Sequence, residues 1–268
     1  MKSFFDKRPL LFAHRGYSQK FPENTLLAFE KAVETGIDVL ELDIRLTGDD
    51  QLVVFHDEEV SRITEATGLV REYALRDLQQ LNAGFHFAEE TNHFPYRQSP
   101  VKIPGLTELF ETFPEQKFNI DIKDNEIFAA EKLWELIQRQ HLHHQVLVGS
   151  YHFEVLTHFR KLANGTVPTS ASSREVWHFG LSQKIGLSRL VPLSLNALQV
   201  PTTYSCFNLA NRRFIRAVHK RGLFVHYWTV NDPVQIRYLL DLGADGIMSD
   251  NPALLMEIYH ILNGAGPT

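Results

Sequence analysis

One alternation runs the length of this chain: short apolar runs, each followed by a longer stretch whose apolar residues recur with helical spacing. Strands that alternate with helices imply a parallel sheet, because a parallel connection needs a crossover long enough to hold a helix. Eight runs read as strands, over 10–13, 39–44, 117–122, 146–149, 167–170, 197–200, 223–228 and 246–248. Eight is the number that closes a barrel. The spacing predicts helices over 26–35, 106–112, 127–139, 153–162, 174–183, 211–221, 234–242 and 253–262. The first stands behind an Asn24/Thr25 cap, and Gly36, Gly222 and Gly243 are placed to end helices in a left-handed turn. The expected fold is α/β, a (β/α)8 TIM barrel.

Length supports one domain over residues 1–268, since such barrels run to about 250 residues. The surplus is concentrated between Asp57 and Pro104, after an extra strand predicted over 51–56. That stretch is too long for an ordinary βα loop and carries Tyr73, Leu75, Leu78, Leu81, Phe85 and Phe87, so it reads as a small subdomain inserted after the second strand. Phe85, Phe87, Phe94 and Tyr96 are expected to build its own core rather than a lipid-touching lid. A net charge of −5 leaves no basic field to hold nucleic acid. Cys206 stands alone, so no disulfide framework exists, and it is expected to be a small buried side chain. The apolar run near the start, 10–13, is too short for a signal peptide or a membrane span. A cytoplasmic protein without a stable membrane anchor is expected.

Candidate chemistry begins on the second strand, Val39 to Arg45. Side chains alternate along a strand, so Glu41, Asp43 and Arg45 share one face while Leu40, Leu42 and Ile44 share the other. With the apolar face turned to the helices, the acids point into the barrel. There they need protons, a cation, or an ion pair to Arg45 or Arg15. The third strand puts Asp121 and Lys123 on one face, next door in a parallel barrel. Three carboxylates without cysteine suit a hard divalent cation, Mg²⁺ or Ca²⁺. His14 and Arg15 follow the first strand and His56 ends the extra strand, at the C-terminal rim where barrels place their chemistry. Two histidines, two cations and three acids on one rim fit cleavage of a phosphate ester.

The chain also resembles the glycerophosphodiester phosphodiesterases. The elements HRG, PENT, ELD and HD occur in order within 13–57, followed by IPGLTELF at 103–110, NIDIKD at 119–124, VHYWTVND at 225–232 and ADGIMSDNP at 244–252. The resemblance implies the same barrel with its insertion. It also implies hydrolysis of glycerophosphodiesters to sn-glycerol 3-phosphate and an alcohol. By the same likeness His14 and His56 are the general acid and base, Arg15 and Lys123 bind phosphate, and Glu41 and Asp43 bind metal. Asp121 takes the third ligand position, where family members usually carry a longer Glu. Trp228 lines the substrate pocket. Water and the neighbouring glycerol 2-hydroxyl are both compatible attackers.

Other residues carry plainer expectations. His141, His143 and His144 fall on the opposite rim and read as solvated. Asp245 and Asp250 flank the last strand and read as fixing turns. Asp57 follows His56, and strand alternation would aim it away from that ring. Two other functions compete with the first: a lysophospholipase D-like or sphingomyelinase D-like phosphodiesterase acting on larger lipids, and a non-enzymatic binding protein on a relict barrel. Intact histidines, cations and acids argue against the latter.

Overall fold

The computed structural model describes residues 3–89, 93–184, 194–205 and 207–264; Cys206 lies outside them. The core strands are β1 (Leu10–His14), β2 (Val39–Leu46), β4 (Lys117–Ile122), β5 (Val146–Gly149), β6 (Ala197–Val200), β9 (Phe224–Tyr227) and β10 (Gly246–Ser249). They lie side by side in the order β5-β4-β2-β1-β10-β9-β6, every neighbouring pair parallel. The expected strand over 167–170 is present only as single bridges, Val148 to Thr169 and Ser170 to Ala197. Those bridges join β5 to β6 and close the ring, so the barrel forms with a thin eighth position.

Helices follow the strands: α1 (Leu26–Val33), α3 (Leu106–Thr112), α4 (Ile127–Arg139), α5 (Phe153–Ala163), α6 (Ser173–Lys184), α7 (Arg212–His219), α8 (Pro233–Leu242) and α9 (Pro252–Leu262). Thr25 caps α1 by accepting from the Ala28 N–H, a bond worth about 1 kcal/mol. Asn211, Asp232 and Asn251 do the same for α7, α8 and α9. Gly243 closes α8 at φ 92°, as its position predicts.

Alternation sorts the strand residues as expected. Leu40, Leu42 and Ile44 join Phe29, Leu109 and Leu133 in the core between sheet and helices. The opposite face of the strands fills the barrel. Its floor is apolar, formed by Phe4, Leu10, Phe12, Val39, Leu147, Ala197 and Met248. Above the floor stands a polar layer in which the Gln199 amide donates to Asn119 Oδ1 at 2.8 Å and lies 3.3 Å from His226 Nδ1. Burial pushes the His226 ring down to about 3, so it is neutral. Gly246 is required here, because a Cβ would lie 2.7 Å from the Phe12 ring and 2.8 Å from His226.

The described residues between 57 and 104 fold against one side of the barrel. β3 (Leu52–Val54) pairs antiparallel with β2. Single turns at Val60–Arg62, Val70–Glu72 and Pro95–Arg97, with the short α2 (Leu75–Leu78), follow it. The inserted core is mainly aliphatic, built from Val53, Val60, Val70, Leu78 and Ile103 around the buried Phe55. The four aromatics expected to form it stand apart and half-buried. Phe87 packs edge-on against Tyr96, and Arg97 lies over Phe85 and Phe94. No helix among the described residues is long and apolar enough to cross a membrane. Between β6 and α7 a small hairpin, β7 (Thr203–Tyr204) and β8 (Phe207–Asn208), packs Phe207 against Gly180 of α6.

Candidate active site

The C-terminal ends of the strands surround a cavity of about 340 Å³. Every site residue singled out from the sequence lines it: His14, Arg15, Glu41, Asp43, His56, Asp121, Lys123 and Trp228. Register explains the gathering. His14 lies opposite Glu41 across β1 and β2, and Asp43 lies opposite Asp121 across β2 and β4.

Asp43 is the buried hub, 1% exposed. Its Oδ2 accepts from Asn24 Nδ2 at 2.9 Å, and its Oδ1 lies 2.9 Å from Lys123 Nζ. Burial opposes its charge, but Lys123 and Arg15 outweigh that and hold its pKa far below the usual carboxylate range. Lys123 also lies 2.7 Å from Asp121 Oδ2, so its ammonium stands between two carboxylates and its own pKa rises despite burial. Arg15 Nε is 3.0 Å from Asp43 Oδ2 but is not aligned as a hydrogen bond. This buried N–H has no hydrogen-bond partner among the described residues. Arg15 and Asn24 both adopt left-handed backbone, φ 55° and 56°, and Gly16 follows at φ 82°. Such strain costs about 1–2 kcal/mol per non-glycine residue. It turns the chain so tightly that a Cβ on Gly16 would strike Ala28 at 2.7 Å.

Glu41 has less positive company. Its Oε2 accepts from the Arg15 backbone N–H at 3.0 Å and lies 4.0 Å from His14 Nε2. Burial and the neighbouring Asp43 charge push it up to about 7. A buried carboxyl in that state needs a proton or a cation. The donors suit a hard divalent ion, as three carboxylates share the cavity. Among the described residues, however, no three His, Cys, Asp or Glu side chains already converge as a metal cage, and the Lys123 ammonium bridges Asp43 and Asp121. Arg45, one of the two cations expected to neutralise the acids, pairs with Asp124 at 2.9 Å instead and donates to the His56 carbonyl at 2.9 Å.

Each histidine is backed by an aspartate, and neither pair was expected. His56 Nδ1 lies 2.6 Å from Asp57 Oδ1. Alternation fails here because β3 ends at Val54, leaving His56 and Asp57 in a loop. Arg62 holds the other Asp57 oxygen and reaches Glu23, which also pairs with Arg15 at 3.0 Å. His14 Nδ1 lies 2.7 Å from Asp250 Oδ1. Asp250 is thus more than a turn residue. The signal was available: closing a barrel sets its first and last strands side by side, and Ala13 pairs with Ser249, one step before His14 and Asp250. Asp245 keeps its structural role, accepting from the Val225 N–H at 2.8 Å and lying 2.7 Å from His219 Nε2.

The cavity's other wall is formed by Gly149, Ser150, Ser170, Ala171 and Gln199. Trp228 and Tyr151 stand at its mouth, 43% and 68% exposed, so Trp228 is not plain barrel core. His141 and His144 are exposed on the opposite rim, and His143 packs edge-on against Trp134.

Likeness to known proteins follows the same lines. A solved glycerophosphoryl diester phosphodiesterase domain from Mycobacterium tuberculosis superposes with a TM-score of 0.85 at 19% identity, covering 95% of this chain and 100% of that one. An Oleispira antarctica phosphodiesterase solved with the product sn-glycerol-3-phosphate gives 0.76 at 25% identity, covering 96% and 99%. A glycerophosphodiester phosphodiesterase from Caldanaerobacter subterraneus subsp. tengcongensis is 31% identical, covering 94% of this chain and 98% of its own length. A human lysophospholipase D is 29% identical over 92% of this chain and 85% of its own. The profile of the glycerophosphoryl diester phosphodiesterase family matches residues 14–254. The chain belongs to that family, whose enzymes are phosphoric diester hydrolases.

Proposed function

We propose that this chain, acting as one catalytic domain in the cytoplasm, hydrolyses small glycerophosphodiesters to sn-glycerol 3-phosphate and an alcohol. The observation that carries the reading is the pairing of two histidines, each backed by an aspartate at Nδ1, around one cavity that also holds two cations. With Nδ1 engaged, Nε2 of each ring is the nitrogen left for the substrate. One ring takes the proton of the attacking hydroxyl, and the other gives a proton to the departing alcohol oxygen. The Arg15 guanidinium and the Lys123 ammonium, both lining the cavity, meet the phosphoryl oxygens and stabilise the charge that builds on them. Glu41, Asp43 and Asp121 would hold a divalent cation, Mg²⁺ or Ca²⁺. When bound, it would add positive charge beside the phosphoryl group. The product complex of the Oleispira antarctica protein supports the choice of product.

Cavity size favours deacylated diesters. A volume of about 340 Å³ holds a headgroup diester, whereas an acyl chain would have to leave past Tyr151 and Trp228. The likeness to a lysophospholipase D and this aromatic mouth support the larger-lipid reading as the second choice. The test is an assay of glycerophosphocholine, glycerophosphoethanolamine and lysophosphatidylcholine, with and without EDTA. We expect turnover of the first two, abolished by the chelator and restored by Mg²⁺ or Ca²⁺. Undiminished turnover after chelation would rule out the cation. Preference for the lysolipid would reverse the order of the two readings.

A further inference from the structure

Groups from three separate stretches meet behind the His14 ring, on the side away from the cavity. Asp250, at the end of β10, presents Oδ1 to His14 Nδ1 at 2.7 Å. Asn231, from the loop between β9 and α8, donates Nδ2–H to the other Asp250 oxygen at 2.6 Å. Ser18 Oγ lies 3.0 Å from Asp250 Oδ1 and 2.7 Å from the His14 carbonyl, with one proton to share between them.

Donor and acceptor roles can be assigned from the outer end of this chain inward. Asn231 Oδ1 receives both the Asp250 backbone N–H and the Ser249 hydroxyl, each at 2.9 Å. That fixes which end of the Asn231 amide is oxygen, so its NH₂ must face the carboxylate. The Asp250 carboxylate is then an acceptor on both oxygens. Burial works against its charge, yet the hydrogen bonds and His14 hold its pKa below the ordinary value. An ionised acceptor 2.7 Å from Nδ1 requires the proton to sit on Nδ1, which leaves the Nε2 lone pair facing Glu41 and the cavity.

We infer that Asp250, oriented by Asn231, is a positioning residue for His14: it sets the Nδ1–H tautomer and aims Nε2 at the substrate. The inference builds on the proposed proton-moving role of His14. It assigns to the last βα loop a part in catalysis that no cavity contact with substrate would reveal.

Asp250→Asn is nearly the same shape and keeps a side-chain oxygen for Ser18 or Asn231, but it offers no charge to hold the Nδ1 proton. It is expected to lower kcat on glycerophosphocholine by about 10²-fold or more with KM little changed, while melting remains cooperative. The double variant Asp250→Asn/His14→Ala should be no slower than His14→Ala alone, because both changes remove one function. A kcat within about threefold of wild type, or losses that multiply in the double variant, would overturn the assignment. The wild-type protein gives an independent reading by ¹⁵N-histidine NMR, at a pH where the ring is neutral. A His14 ring protonated at Nδ1 supports the inference, and one protonated at Nε2 defeats it, even where the variant fails to fold. Should wild type cleave none of the diesters, the functional reading fails while the tautomer still decides the contact.

Discussion

The two histidine–aspartate pairs differ in what holds them. His14 and Asp250 come from the first and last strands, neighbours only because the barrel closes, and their supports Asn231 and Ser18 belong to the barrel's own loops. His56 and Asp57 are adjacent in the chain, and their support is Arg62, from the inserted segment. One ring is set by the frame of the fold and the other by an addition to it. The second pair is linked through ion pairs to Arg15, the proposed phosphate ligand, along the Arg62–Glu23–Arg15 chain of charges. The proposed proton-transfer pair therefore has one half held by the barrel's own strands and loops and one half held by the insertion.

The strongest way to break this comparison is to remove each ring. His14→Ala and His56→Ala should each reduce kcat by about 10³-fold, as expected for loss of a general acid or base. A variant that kept more than a tenth of wild-type turnover would remove its pair from the mechanism. A smaller and one-sided effect is expected for Arg62→Ala. It frees Asp57 and Glu23 together, so kcat/KM should fall about tenfold, while thermal stability changes little because partly exposed ion pairs contribute about 0–1 kcal/mol. Equal turnover in Arg62→Ala and wild type would show that the insertion does not set His56.

The smallest effect is on stability. Asp250→Ala should cost about 0.5–1 kcal/mol more than Asp57→Ala at pH 7, since it removes the acceptor of the half-buried Ser18 hydroxyl and of the exposed Asn231 amide as well as of the ring. Both carboxyls are held below the ordinary aspartate value of 3.8 in the folded state. Their stabilisation is complete above 3.8 and is lost as pH falls through the lower folded values, because the unfolded chain takes up protons first. Urea melts of wild type and both variants should therefore draw together below pH 3.8. A gap that persisted in acid would mean that packing, not charge, separates the two pairs.

How much of this was legible in the sequence depended on whether a rule of regular structure applied. Strand alternation placed Glu41, Asp43 and Asp121 inside the barrel, and register then did what alternation promised. The helix bounds of α3 and α4 were readable to the residue from apolar spacing, although neither N-terminus carries a side-chain cap. The run at 167–170 has the composition of a strand but meets its neighbours through single bridges, a matter of tertiary fit that no local pattern carries. Asp57 was missed because alternation was extended past the end of β3 into a loop. Asp250 was missed because turn composition was weighed before barrel closure. Arg62 and Glu23 lie 39 residues apart, and nothing short of the folded insertion brings them together.

The thin closure between β5 and β6 divides the lining of the cavity into two parts that differ in how continuously their strands are paired. His14, Glu41, Asp43, Asp121 and Asp250 all stand on or at the ends of β10, β1, β2 and β4, a continuous arc in which β2 and β4 alone are matched over six residue pairs. Gly149, Ser150, Ser170, Ala171 and Gln199 stand on or beside the seam. Most of the groups proposed to carry the reaction thus stand on the continuously paired arc, and the sparsely bridged seam forms the opposite wall of the cavity. Under the proposed function, substitutions along this seam would reshape one wall of the cavity while leaving in place the histidine and the carboxylates that the paired arc carries.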